Sequence, residues 1–335
     1  MDESVKQTNT NYEVVIVGAG LTGIIAAQRY LEAHPNSLLT ILEKDNCVGG
    51  VFSKRQFLFP SSKPSFSDNY IGRLYEEFWT QWTYGLAEFS DMPMEPPPPE
   101  DMKNGCFRAK YTTEYLESYV DQKSHAGRSL RDRIQFGVAV QSIEKIGGKW
   151  HVSGADSSNN PLHVSAEKLM IANGGNAGQN FPDLPDKDTF EGLIIHSEDF
   201  GQSNIIPSKD LQHIAVIGAG KSSADMIYES IKAGKTVSWI ISNNGTGPGF
   251  FAPLDMSTPG YKNAAEAAQT RLMSSLQPSL LNEDTKWTQF LHNTNIGNGI
   301  INGVFGFVDK EVRKRANYTG RKSTKGFEKL AYDTG

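Results

Sequence analysis

Apolar positions along this chain follow two rhythms, and the change from one to the other marks its elements. Val14-Val15-Ile16-Val17 is an unbroken β-branched run, expected of a strand buried on both faces. Ile24 to Leu31 spaces its apolar residues as a helix does, and Leu38 to Leu42 returns to strand. The same succession comes back later. His213 to Ile217 predicts a strand, Ala224 to Ala233 a helix, and Thr236 to Ile241 the next strand. Between them, Thr112 to Lys123 predicts an amphipathic helix, with Tyr115, Leu116 and Tyr119 on one face. Ile134 to Val152 predicts an antiparallel hairpin around Gly147-Gly148, and Leu169-Met170-Ile171-Ala172 another buried strand. Past Gly249, Ala264 to Leu276 and Asp284 to Leu291 read as helices, and the basic stretch Val312 to Lys329 as a solvated helix face. Strand alternating with helix predicts an α/β fold.

Glycines at the strand ends add chemistry to this pattern. The first strand runs into Gly18-Ala19-Gly20-Leu21-Thr22-Gly23, and the second ends in Glu43, about 20 residues after the last glycine, which completes a dinucleotide fingerprint. Gly18 permits the tight turn, Gly20 lets backbone approach a pyrophosphate, and Gly23 lets helix and strand pack closely. The amides and positive dipole end of the helix face the phosphates, while Glu43 accepts from both hydroxyls of a ribose lacking a 2′-phosphate. Beyond it, Lys44 to Phe52 contains Gly49-Gly50-Val51-Phe52, which either closes a loop or brings backbone against the same nucleotide again. The strand closing at Ala172 ends in the small residues Asn173-Gly174-Gly175, where an open α/β sheet places its ligand.

Gly218-Ala219-Gly220-Lys221-Ser222-Ser223 is the second turn, with Ser223 small enough to stand at the third glycine position. Gly220-Lys221-Ser222 resembles the end of an ATPase phosphate loop, but that motif needs glycine where Ala215 stands. No acid lies near Asn243, and Lys221 places a positive charge at the helix start, which favours NADPH over NADH.

With 335 residues and 38% apolar content, the chain is long enough for two domains. A net charge of −5 gives no reason to invoke nucleic acid or an acidic membrane. Cys47 and Cys106 read as isolated reduced thiols, with no metal site. Met1 to Asn11 is too polar for a secretory signal and no run is long enough to span a bilayer, so a cytoplasmic protein is expected and the sequons at Asn244 and Asn317 carry no meaning. The aromatic- and proline-rich stretch from Phe57 to Pro99 is either the wall of an apolar pocket or a packed surface loop.

The two turns, with the segment Phe190 to Phe200 between them, resemble the flavin-containing monooxygenases. That family carries a linker F-x-G-x-x-x-H-x-x-x-(Y/F), and Phe190, Gly192, His196 and Phe200 meet every fixed position. A final Phe is nearer the N- and S-oxidising branch than the Baeyer–Villiger branch. The likeness runs from Tyr12 to about Ile241, and the intervening sequence is similar to fungal members that tailor natural products. It implies two Rossmann-like dinucleotide-binding domains, residues 1–205 for FAD and 206–335 for NADPH. Hydride would pass from NADPH to the flavin, and a C4a-hydroperoxyflavin would transfer one oxygen atom from O2 to a small lipophilic substrate in secondary metabolism. His196 would shape the domain link and flavin reduction.

Several positions depart from the family pattern. Phe52 stands for a tryptophan, Gln81 for an asparagine beside the flavin, Asn173 for a threonine, and Ser242 where a basic residue commonly grips the 2′-phosphate. Relatives also return after the NADPH domain to complete the FAD domain, and no such return precedes Gly335. An FAD domain without it is expected to expose apolar sheet, covered by a second chain or a homodimer, or to belong to a shortened product with impaired catalysis. Two other functions stay open: a nucleotide-binding relative without turnover, and a flavin or disulfide reductase, which wants a close cysteine pair.

Overall fold

The computed structural model describes residues 10–53, 78–175, 179–241, 260–261, 264–278 and 283–315. In chain order the strands and helices are β1 (Thr10–Val17), α1 (Leu21–Ala33), β2 (Leu39–Leu42), β3 (Trp79–Thr83), β4 (Met102–Lys103), β5 (Cys106–Arg108) and α2 (Lys110–Gln122). There follow β6 (Ser124–His125), β7 (Arg128–Ser129), β8 (Ile134–Gln135), β9 (Val138–Ile146), β10 (Lys149–Asp156) and β11 (Pro161–Ile171). The last are β12 (His213–Ile217), α3 (Lys221–Lys232), β13 (Thr236–Ile240), α4 (Ala264–Ala268), α5 (Arg271–Ser274), α6 (Lys286–Asn293) and α7 (Asn295–Arg315). Ser242, both sequons, residues 57–77 of the aromatic stretch and 316–329 of the basic one lie outside the described residues.

Two compact units divide the chain. The first comprises Met1–Trp79, Glu88–Glu95 and Arg108–Ser203; the second, Thr80–Ala87, Pro96–Phe107 and Asn204–Gly335. The main change of unit falls between Ser203 and Asn204. Two short segments from the first half of the sequence nevertheless group with the second unit, an interleaving that no composition shift announces.

In the first unit the sheet order is β8-β2-β1-β11-β10-β9. β1 is central: Val15 pairs in parallel with Leu169 on one side and Thr40 on the other. That position explains its β-branched run, since Val14, Val15 and Ile16 are fully buried. α1 covers the sheet with Ile24, Ala27 and Leu31, and each large apolar side chain so buried stabilises the fold by about 1.5–3 kcal/mol. The expected hairpin is β9–β10, closed by Gly147 and Gly148 at φ +59° and +83°, the left-handed pair that a two-residue hairpin turn requires. The expected strand at Leu169 is longer and less buried than its sequence indicated. β11 pairs antiparallel with β10 in its first half and parallel with β1 along most of its length, and Ile171 at its end is 61% exposed. α2 matches the expected amphipathic helix and buries Tyr115, Leu116, Tyr119 and Val120.

In the second unit β12 and β13 pair in parallel, with α3 between them in sequence. β3, β5 and β4 form a small separate sheet, so part of the stretch read as wall or loop is strand. The single helix expected over Ala264 to Leu276 is instead two, because the Thr270 side chain caps a new start by accepting from the Met273 N–H. α7 continues past the helix expected at Asp284 to Leu291 after a break at Thr294, and Arg313 and Arg315 in its last turn pair with Asp309 and Glu311. Among the described residues no helix is long and apolar enough to cross a membrane.

Candidate functional site

Three turns converge at the carboxyl ends of β1, β2 and β11 in the first unit. The first is the Gly18 turn. Gly18 has φ +101°, its N–H donates to Leu42 O at 2.8 Å, and a Cβ there would lie 2.5 Å from Ala172 O. Only glycine fits, for its backbone angle and for that contact. A Cβ on Gly23 would lie 1.9 Å from Gly18 O, so this position is what lets α1 come down onto the turn. α1 begins at Gly20 with no side-chain cap and no acid in its first turn, which leaves the amides at Leu21, Thr22 and Gly23 for an anion.

The second turn is Gly49 to Phe52. Gly49 (φ +115°) donates its N–H to Ala19 O at 2.9 Å, and Gly50 (φ +60°) stands so close to Gly20 that a Cβ on it would come within 3.3 Å of the Gly20 Cα. These contacts lay the loop against the first glycine turn. Phe52 is half-buried and Val51 half-exposed. The third turn follows β11: Ala172 donates its N–H to Val17 O at 2.8 Å, Asn173 carries the chain on, and Gly174 turns at φ +83°.

Glu43 closes this cluster from the end of β2. It is 5% exposed; Oε2 accepts from the Ala19 N–H at 2.6 Å and Oε1 from the Asp45 N–H at 2.9 Å. Burial pushes its carboxyl above the ordinary carboxylate range, and the two backbone donors pull against that rise. Each oxygen keeps a lone pair for a hydroxyl. The Ala19 contact, which locks acid and glycine turn together, had no sequence signal beyond the spacing itself. Lys44 is exposed next to Glu43.

The second glycine turn repeats the first. Gly218 has φ +111° and donates its N–H to Ile240 O at 3.0 Å, and α3 starts at Gly220 without a side-chain cap. A Cβ on Gly220 would meet nothing within 4 Å, and one on Gly218 would meet the Ser223 hydroxyl at 3.3 Å. Ser222 follows on the first turn of α3. Lys221 does not simply present its charge: its ammonium is bonded to Asp225 one helical turn on. Trp239, which the sequence did not single out, donates its indole N–H to Gly218 O at 2.6 Å and braces the turn.

The linker residues have local work. A Cβ on Gly192 would lie 2.5 Å from the Phe190 ring, Phe200 is buried, and His196 Nδ1 accepts from the Glu198 N–H at 3.3 Å to start a 3-10 turn. The His196 ring also meets Phe181 edge to face at 5.5 Å. Gln81 is exposed on β3 and belongs to the second unit. Neither cysteine is in a disulfide; burial raises each thiol, that of Cys47 to about 11, so neither is a nucleophile near neutrality. No group of acids, histidines and cysteines among the described residues could hold a metal.

Comparison with known proteins agrees with this geometry. Residues 11–293 match the flavin-binding monooxygenase-like family. The chain belongs to that family. A curated member, the FAD-dependent monooxygenase resA of Aspergillus sclerotiorum, is 30% identical over 275 residues, 80% of this chain and 43% of its own length. Another, an FAD-dependent monooxygenase of Pyrenophora dematioidea, is 30% identical over 298 residues, 84% of this chain and 48% of its own. The chain thus spans about half the length of the curated relatives it matches. The solved S-allyl-L-cysteine S-oxygenase of Allium sativum shares the fold, with TM-score 0.53 and 20% identity over 76% of this chain and 55% of that one.

Proposed function

We propose that this chain carries the nucleotide-binding machinery of an FAD- and NADPH-dependent monooxygenase that transfers one oxygen atom from O2 to a small lipophilic organic substrate in secondary metabolism. The observation that carries this reading is the meeting of Gly18, Gly23, Gly50, Ala172 and Glu43 in one cluster. That cradle fits FAD, because a Cβ at Gly18 or Gly23 would collide with its walls while one at Gly20 would meet only Gly50, at 3.8 Å. Gly20 and the first amides of α1 take the diphosphate, and Glu43 takes the adenosine ribose through the lone pairs its backbone donors leave over. Gly50, Val51 and Phe52 line the approach from one side, Ala172, Asn173 and Gly174 from the other. In the second unit Gly218, Gly220, Ser222 and Ser223 cradle the NADPH diphosphate. Lys221 exchanges its bond to Asp225 for a phosphate, which makes Asp225 a holder of that cation until the dinucleotide arrives.

When bound, FAD would accept two electrons from NADPH and activate O2, while the protein would supply binding and orientation. Gln81 carries a side-chain amide at the position where the family has an asparagine. His196 fixes the start of the linker turn, a coupling role with no proton transfer to substrate. A cytoplasmic location accords with this use of NADPH.

The test is an absorbance spectrum of the purified protein before and after anaerobic NADPH. Flavin bands that NADPH bleaches and O2 restores, with an oxygenated product, are the expected result. Protein that stays colourless with FAD added defeats the reading. Flavin uptake without NADPH oxidation leaves a nucleotide-binding module that does not turn over.

A further inference from the structure

The Gly49–Phe52 turn is held to the first glycine turn by one backbone bond, Gly49 N–H to Ala19 O. Inside the turn, Gly49 O accepts from the Phe52 N–H, and Gly50 O from the N–H and the hydroxyl of Ser53. The Phe52 carbonyl stands at the end of the turn. Its partner comes from far along the sequence: the Thr113 hydroxyl, on the first turns of α2, donates to Phe52 O. Thr113 is 3% exposed, and its helix is fixed from below by the buried side chains of Leu116, Tyr119 and Val120. A threonine within a helix ordinarily turns its hydroxyl back to the carbonyl one turn before it. That carbonyl, Ala109 O, takes the Thr112 N–H, and Thr113 reaches across to the loop instead.

We infer that Thr113 is a positioning residue for the flavin dinucleotide. Its hydroxyl ties the Gly50–Phe52 turn to the rigid face of α2, so that the turn stands at a fixed height over Gly20 and the open end of α1. This inference rests on the first glycine turn being the FAD site. The loop carries two left-handed glycines in succession, which are costly to order in the unbound chain. An external anchor therefore sets how much of that ordering remains to be done when the cofactor binds. Thr112, the preceding residue, supplies an internal control: its hydroxyl is equally buried and makes no hydrogen bond.

Three variants test this: Thr113→Val, Thr113→Ser and Thr112→Val, each stripped of flavin and titrated with FAD, with thermal unfolding of the apo and holo forms. Thr113→Val should weaken FAD binding about tenfold, close to 1.4 kcal/mol, and lose more melting temperature as holoprotein than as apoprotein. Thr113→Ser keeps the donor and should bind within about twofold of the parent. Thr112→Val should bind FAD as the parent does, and its apoprotein should melt no lower, because it removes an unpaired buried hydroxyl. Parent-like affinity in Thr113→Val overturns the inference while leaving the FAD site standing, as does equal weakening in Thr112→Val and Thr113→Val. A parent chain that takes up no FAD overturns both.

Discussion

Two stretches of this chain, β1 to β2 and β12 to β13, draw the same backbone figure and stand in very different surroundings. The glycines at their turns have φ +101° and +111° and bond back to the following strand at 2.8 and 3.0 Å. Both helices start at a glycine with almost identical extended angles. Yet β2 is buried along its whole length, while Ile217 and Ile240 of the second pair are 56% and 51% exposed. The third turn position shows the same contrast at closer range. Gly23 stands where a Cβ would strike Gly18 O, whereas Ser223 is accommodated, so helix and strand lie closer in the first unit. The motif is a local device, set by glycine angles and backbone hydrogen bonds. How tightly it is sealed is decided by what the neighbouring strands put over it.

The sharpest way to break this comparison is to place alanine at the third position of both turns. Gly23→Ala should cost on the order of 3 kcal/mol or more in chemical denaturation, since the obstacle is backbone. Ser223→Ala should stay within about 1 kcal/mol, and near-equal losses would mean the two turns are equally tight. Next come the strands. Ile16→Ala should cost about 2–5 kcal/mol, and Ile240→Ala about 1 kcal/mol or less, because the second side chain is already half in water.

Glu43 gives a smaller effect with a sign. Its folded carboxyl lies above the unfolded value, so burying its charge costs stability at neutral pH, and this cost disappears as pH falls through the raised value. Dinucleotide binding should move the other way and weaken over that same descent, because protonation removes an acceptor from the ribose. Glu43→Gln should weaken FAD by about tenfold and flatten this pH dependence; an unchanged acid limb in a titration of affinity against pH would refute the assignment. Lys221→Gln is the mildest. Its partly exposed pair with Asp225 should contribute under about 1 kcal/mol to stability, while NADPH affinity should fall several-fold and NADH affinity less.

Both turns, their flanking strands and helices, the β9–β10 hairpin and the α2 face were legible because each is local: a period of apolar residues, then glycines where the backbone must turn left-handed. Other features were not legible, for particular reasons. The interleaving of Thr80–Ala87 and Pro96–Phe107 with the second unit is a property of contacts, not of composition. The break at Thr270 depended on a single side chain capping a helix start. Ile171 reads as core by residue type and is exposed by its place at the strand end. Trp239 and Thr113 reach carbonyls that lie 21 and 61 residues away, and no window along the chain contains both partners.

The order of residues alone determined that two strand–turn–helix–strand figures form, where each turns, and which family they resemble, because those features depend on neighbours within a few positions. Tertiary structure decided that Glu43 binds back onto Ala19, that Gly49–Phe52 and Ala172–Gly174 meet at Gly18, and that one figure is sealed while the other is open. Those outcomes depend on groups distant in sequence competing for the same few ångströms, and only the folded chain brings them within reach of one another.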